Sequence, residues 1–191
     1  MPINVYGTDS AESITGTDGI ELIYAGNGND TISAGDGADL VLGEGGNDSI
    51  NAGAGNDVID GGEGDDTING NDGDDQLYGS TGNDSINGDA GNDLIYGQDG
   101  NDKLNGGDGA DLILGGAGND SINGNAGNDV IQGDEGNDTI DGGAGNNSIY
   151  FSAGHGNDTV KDGGGTDTLI FLTDSISSNN LSFVGNDLKI T

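Results

Sequence analysis

The chain has 191 residues, with 35 acidic side chains against 3 basic ones and a formal net charge of −32. That surplus of acid excludes unaided binding to nucleic acid or to an anionic membrane surface. There is no run of about 18 apolar residues, and so no membrane-spanning helix, and no cysteine for disulfide or thiolate chemistry. With 30% hydrophobic residues and 42 glycines, such a chain stays disordered in plain water unless something neutralises the acid.

Residues 1–6 carry neither the basic region nor the apolar core of a secretory signal and are expected to be a short lead-in. From Gly7 to Tyr150 the chain divides, without insertion or deletion, into sixteen nonapeptides. Position 1 is Gly in thirteen units and Ala in three. Position 4 is Gly in fifteen, Ser10 being the exception. Position 6 is Asp in thirteen, the others being Glu12, Glu21 and Asn147. Position 8 is aliphatic in all sixteen: thirteen Ile, with Val41, Leu77 and Leu104. A flexible Gly/Asn linker has no reason to keep an aliphatic in one column throughout.

Each column has a physical meaning. Glycine at 1 and 4 is expected to allow positive φ and a sharp turn, with the position-6 carboxylate at the end of that turn. Residues 7 to 9 are expected to form a three-residue strand whose middle side chain faces a core and whose neighbours face out. The unit is then a turn of six and a strand of three. Two units make one 18-residue coil with a strand on each side.

Alternate units fall on opposite sheets, so the outward columns can be compared. One face reads Ser/Thr–x–Asn for most of its length, interrupted by Lys103 and Asp141, and none of its sixteen outward residues is apolar. The other carries pairs such as Leu22/Tyr24, Leu40/Leu42, Leu94/Tyr96 and Leu112/Leu114, and twelve of its sixteen are apolar or aromatic. Ordinary β-propensity accounts for such a strip; so do protein docking or self-association, and sugar stacking on Tyr24, Tyr78, Tyr96 and Tyr150. Leu94-Ile95-Tyr96 repeats Leu22-Ile23-Tyr24, which suggests duplication of a four-coil block.

Beyond Tyr150 the spacing loosens around Asn157-Asp158-Thr159-Val160 and Thr166-Asp167-Thr168-Leu169. Leu169–Leu172, Leu181–Val184 and Asp187–Thr191 are strand-like, with Gly185-Asn186 a candidate hairpin turn between the last two. Residues 7–170 are thus expected to be the repeat array and 171–191 a cap over its exposed last coil, which could also carry export information.

One aliphatic side chain per unit is little to set against the entropy of ordering the rest of that unit, and stacked carboxylates repel one another. A divalent cation between turns removes the repulsion and binds only the folded state. Carboxylate and carbonyl oxygens suit a hard ion, and flexible turns favour Ca²⁺ over Mg²⁺. One histidine and no cysteine speak against Zn²⁺. His155 has no second base beside it, so no catalytic residues are assigned and no enzyme is expected.

Gly-Gly-x-Gly-x-Asp-x-aliphatic-x, as in Gly61-Gly62-Glu63-Gly64-Asp65-Asp66-Thr67-Ile68-Asn69, resembles the repeat of the RTX, or haemolysin-type, calcium-binding family. The resemblance spans residue 7 to about 170. It implies an all-β fold: a right-handed parallel β-roll of about eight to nine 18-residue coils with a small C-terminal strand or hairpin cap. It also implies about a dozen Ca²⁺ ions held between matching turns. The implied ligands are Asp30, Asp39, Asp48, Asp57, Asp66, Asp75, Asp84, Asp93, Asp102, Asp111, Asp120, Asp129 and Asp138, with Asp158 and Asp167 in the irregular last units. Carbonyls at positions 2 and 4 would complete the shell. The first coil departs from the pattern, with Thr8 and Thr17 at position 2, Ser10 at position 4, and Glu12 and Glu21 at position 6, so weak or no Ca²⁺ is expected there. The family also implies a secreted or cell-surface protein exported by type I secretion. The expected function is a non-catalytic Ca²⁺-binding module for structure, interaction or export. The alternatives are a ligand-binding face for protein, polysaccharide or, on a poor match, ice, or an accessory module of a secreted toxin or enzyme.

Overall fold

The computed structural model describes residues 2–161, 163–172, 181–184 and 187–190. Its described residues form no helix. In chain order the strands are β1 (Ile3–Tyr6), β2 (Ser13–Thr17), β3 (Glu21–Tyr24), β4 (Thr31–Asp36), β5 (Leu40–Leu42), β6 (Ser49–Ala54) and β7 (Val58–Glu63). There follow β8 (Thr67–Asp72), β9 (Gln76–Thr81), β10 (Ser85–Ala90), β11 (Leu94–Asp99), β12 (Lys103–Asp108), β13 (Leu112–Ala117) and β14 (Ser121–Ala126). The last are β15 (Val130–Glu135), β16 (Thr139–Asp141), β17 (Ser148–Phe151), β18 (Asp158–Lys161), β19 (Thr168–Phe171), β20 (Leu181–Val184) and β21 (Asp187–Ile190).

Strands alternate between two sheets. The odd strands β1 to β19 make a ten-stranded parallel sheet, and the even strands β2 to β18 begin an eleven-stranded one. Each strand pairs with its counterpart one coil away, as in Ile86↔Leu104 and Ile95↔Ile113. After β16 the offset lengthens, as in Ile140↔Val160, where the spacing of the sequence loosens. This is a β-roll of about nine coils. At its C-terminal end β21 pairs antiparallel with β18 and β20 with β21, closing the even sheet with a hairpin. The expected turn at Gly185-Asn186 lies outside the described residues.

The core is a file of position-8 side chains. From Ile23 to Ile149 each is at most 2% exposed, and the file ends on Phe151 and Val160. In the middle coils the strands run from position 7 to position 3 of the next unit, twice the expected length. The inward side chains are those of positions 6, 8 and 1, every second residue along an extended backbone. The Asp is therefore inside the roll rather than at the end of an external turn. Position 1 must then be small, because it faces the interior across from that Asp.

The expected reason for glycine also changes at one position. Positive φ occurs at positions 2 and 4, not at 1 and 4. Position 2 holds φ of 67–76° at Glu44, Asn71, Ser80, Asp89, Gln98, Asn125 and Asp134, which explains why it admits Asn, Asp and other polar residues. Position 4 differs. Gly109 has φ of 141°, and a Cβ there would collide with the Gly91 carbonyl of the coil below. Gly109→Ala is expected to cost at least about 1–3 kcal/mol, whereas Gln98→Asn, at a position-2 residue that already holds φ of 76°, stays within about 0.5 kcal/mol. Urea unfolding in saturating Ca²⁺ checks this, and equal effects would contradict it.

The Leu/Tyr column lies on the odd sheet. Most of it is half-buried, because each side chain is covered by those one coil away, with Gln76, Leu112 and Val130 the exposed members. Tyr78 and Tyr96 stack with ring centroids 5.4 Å apart.

Candidate metal centres

The position-6 carboxylates form two columns, one along each edge of the roll. In the first, the backbone N–H of Glu12 donates to Asp30 Oδ1, and the same bond then links Asp30, Asp48, Asp66, Asp84, Asp102, Asp120, Asp138 and Asp158 in turn, at 2.7–3.0 Å. In the second, Glu21 donates to Asp39, followed by Asp57, Asp75, Asp93, Asp111, Asp129, Asn147 and Asp167, again at 2.7–3.0 Å. Every step crosses one coil. One oxygen of each Asp is therefore spoken for by the backbone.

The other oxygen is not. Oδ2 of Asp30, Asp39, Asp48, Asp57, Asp66, Asp75, Asp84, Asp93, Asp102, Asp111, Asp120, Asp129 and Asp138 is buried and has no hydrogen-bond partner. A buried carboxylate oxygen without a partner is costly, and thirteen in register are a built feature. Beside ten of them, Asp48 and those from Asp66 to Asp138, lies the side-chain-free glycine at position 1 of the same turn. A Cβ on Gly97 would run into Asp102 Oδ2 and sit 2.5 Å from the Gly115 carbonyl oxygen of the next coil. Carboxylate and carbonyl oxygens thus converge on a cradle that a methyl group would fill. Ala25, Ala34 and Ala52 put a methyl group there in the turns of Asp30, Asp39 and Asp57, whose Oδ2 atoms still have no hydrogen-bond partner.

The turn carbonyls differ in availability. Position-2 carbonyls of Gly26, Glu44 and Asn125 accept an N–H from position 3 of the next coil. Among the described residues the position-4 carbonyls accept no backbone bond. No three His, Cys, Asp or Glu side chains converge among the described residues, so any ion in these turns draws on carbonyls as well as carboxylates.

Electrostatics point the same way. Burial pushes the Asp66, Asp93 and Asp120 carboxyls up to about 7 and those of Asp57, Asp84, Asp129 and Asp138 up to about 6. The backbone N–H bond to Oδ1 opposes the rise, and neighbouring carboxylates add to it. The columns resist full ionisation without a positive charge beside them.

A model of the RTX calcium-binding nonapeptide repeat matches residues 6–41, 15–50, 42–77, 69–104, 78–113, 114–149 and 150–172, which together run unbroken from 6 to 172. The chain belongs to the RTX calcium-binding repeat family. No curated protein matches it. RTX repeats imply Ca²⁺, and the thirteen orphan oxygens, hard and anionic, fit such an ion.

The remaining position-6 residues look different. Glu12 accepts from Thr8 N–H at 3.1 Å and from the Thr8 hydroxyl. Glu21 accepts from Thr17 N–H at 3.0 Å and its hydroxyl at 2.6 Å. Asp158 Oδ2 lies 2.8 Å from His155 Nδ1. Asn147 turns its Nδ2 into the place of the orphan oxygen. Asp167 is half-buried and accepts the Asn147 N–H. In the sequence, Thr8, Thr17, Glu12 and Glu21 stand as separate departures and His155 as an isolated base. The shared spacing of each Thr–Glu pair and the lone histidine one turn before Asp158 were the available signals. Asn at position 5 also has a role that the repeat does not reveal. There Asn29, Asn83, Asn101 and Asn119 accept the position-5 N–H of the following coil, forming an exposed ladder opposite in sense to the aspartate one.

Proposed function

We propose that this chain is a non-catalytic Ca²⁺-binding β-roll that folds on binding several ions, and that it works outside the cell as a structural, interaction or export module. The observation that carries this is the coincidence of thirteen in-register repeat aspartates with thirteen buried, partnerless carboxylate oxygens. On this reading Asp30, Asp39, Asp48, Asp57, Asp66, Asp75, Asp84, Asp93, Asp102, Asp111, Asp120, Asp129 and Asp138 supply the charged ligands, and carbonyls of the glycine turns supply the rest. When bound, the ion supplies positive charge between stacked carboxylates.

An extracellular site of action follows from the same chemistry. A chain whose interior acids need a counter-charge stays extended where Ca²⁺ is scarce and orders where it is plentiful. Family membership supports export on the same grounds. Equilibrium dialysis against Ca²⁺, with bound metal counted by atomic emission, tests the assignment. Asp84→Asn is expected to lower the count by at least one ion per chain and to raise the Ca²⁺ midpoint of folding. An unchanged count and midpoint would remove Asp84 from the ligand set.

A further inference from the structure

The two columns share a plan that their middles do not reveal. Each begins on a glutamate whose carboxylate is engaged by the threonine at position 2 of the same turn. Neither Thr8 nor Thr17 has the positive φ that most later position-2 residues adopt, as expected of a β-branched side chain. Their N–H and hydroxyl groups are thereby free to meet the acid. Glutamate, one methylene longer than aspartate, reaches both donors. The same double exchange occurs in both turns of the first coil.

At the other end the devices differ. In the first column, Asp158 Oδ1 takes the Asp138 N–H, as in every aspartate before it, but Oδ2 takes His155 Nδ1. A carboxylate only accepts, so Nδ1 carries the hydrogen. The imidazole is held in place: His155 is 8% exposed and meets the Phe151 ring edge-on with centroids 5.5 Å apart, and Phe151 in turn stacks on Phe171 at 5.2 Å. In the second column, Asn147 Oδ1 takes the Asp129 N–H, which leaves a neutral amide nitrogen, buried and without a hydrogen-bond partner of its own, where the charged oxygen would be. The orphan carboxylate oxygens run from Asp30 to Asp138 and stop at these residues on both sides.

We infer that the chain closes its own ion columns: Thr8 and Thr17 at one end, and His155 and the amide of Asn147 at the other, stand where a cation would otherwise be needed. Glu12, Glu21 and Asp158 are then structural acids, and His155 is the positioning residue that withholds Asp158 from the ion. This rests on the Ca²⁺ assignment of the aspartates between them. It deepens that assignment by setting the limits of the metal-binding stretch. Among the described residues the end coils have no buried, unpartnered carboxylate oxygen, and so serve as stops for an otherwise repetitive stack.

Ion counts on full-length variants test this. Asp158→Asn and Glu21→Gln are expected to bind as many Ca²⁺ per chain as the unaltered protein, while Asp84→Asn binds at least one fewer. His155→Ala, which frees Asp158 Oδ2, is expected to bind one more ion, and adding Asp158→Asn to it returns the count to the starting value. A purely structural histidine would not change the count upward. Loss of an ion in Asp158→Asn or Glu21→Gln, alongside the loss in Asp84→Asn, overturns the inference and leaves the Ca²⁺ assignment standing. Absence of the gain in His155→Ala overturns the role given to His155, and Asp158→Asn decides the status of Asp158 if that variant fails to fold. An unaltered protein that binds no Ca²⁺ defeats the assignment itself.

Discussion

Stripping divalent cations from the chain with a chelator is expected to abolish its far-UV β signal, and Ca²⁺ rather than Mg²⁺ is expected to restore it cooperatively. The side chains that hold the roll together are a file of single aliphatics, one per turn. Opposing them are thirteen interior carboxylates with an unpartnered oxygen each, in a protein of net charge −32 with three basic residues. An ion that binds only the folded chain stabilises it by about 2.7 kcal/mol per site at a hundredfold excess over its Kd. In a stacked repeat such contributions add along the array. Flexible turn carbonyls impose no octahedron, which favours Ca²⁺. Circular dichroism during a Ca²⁺ titration, with Mg²⁺ as control, measures this. A full β signal in chelator would show that the aliphatic file and the end coils suffice.

Acid is expected to act in two opposite directions. In the folded chain several interior carboxyls are raised to about 6 or 7, from an ordinary value of 3.8, with burial the leading cause. Between pH 4 and 7 the folded state therefore holds more protons than the unfolded one, and stability falls as pH rises through that window. The cation-free chain should gain β structure as pH drops from about 7 towards 4, because protons relieve the same buried charges that Ca²⁺ relieves. With Ca²⁺ present, protons compete for the oxygens, so the Ca²⁺ midpoint should move to higher concentration over the same window. Circular dichroism in chelator at several pH values, paired with Ca²⁺ titrations at each, checks both. A cation-free chain that gains nothing on acidification would show that the aspartates are not raised.

Much of this molecule is legible in one dimension because its repeat is strict. The aliphatic at position 8 of sixteen units told of a single core file and two sheets, and the aspartate column with its glycines told of a family. Those properties depend on neighbours within a single unit, and every unit states them again. What the sequence left undetermined lies between coils, a full circuit of the roll apart. That position 1 is small because the Asp side chain lies over it, and that position 2 rather than position 1 takes positive φ, follow from how one turn closes on itself and on the next. The sequence does not distinguish the two carboxylate oxygens of Asp102. Stacking does, by bringing the N–H of Asp84 to one and nothing to the other. The ends were hardest to read because they break the repeat. Thr17 and Glu21, or His155 and Asp158, look like separate irregularities until the backbone brings each pair within hydrogen-bond distance. Local periodicity determined the class of fold and the kind of ion. Contact between successive coils decided which oxygens are left over and where the columns end, because hydrogen bonds across the stack exist only once it is built.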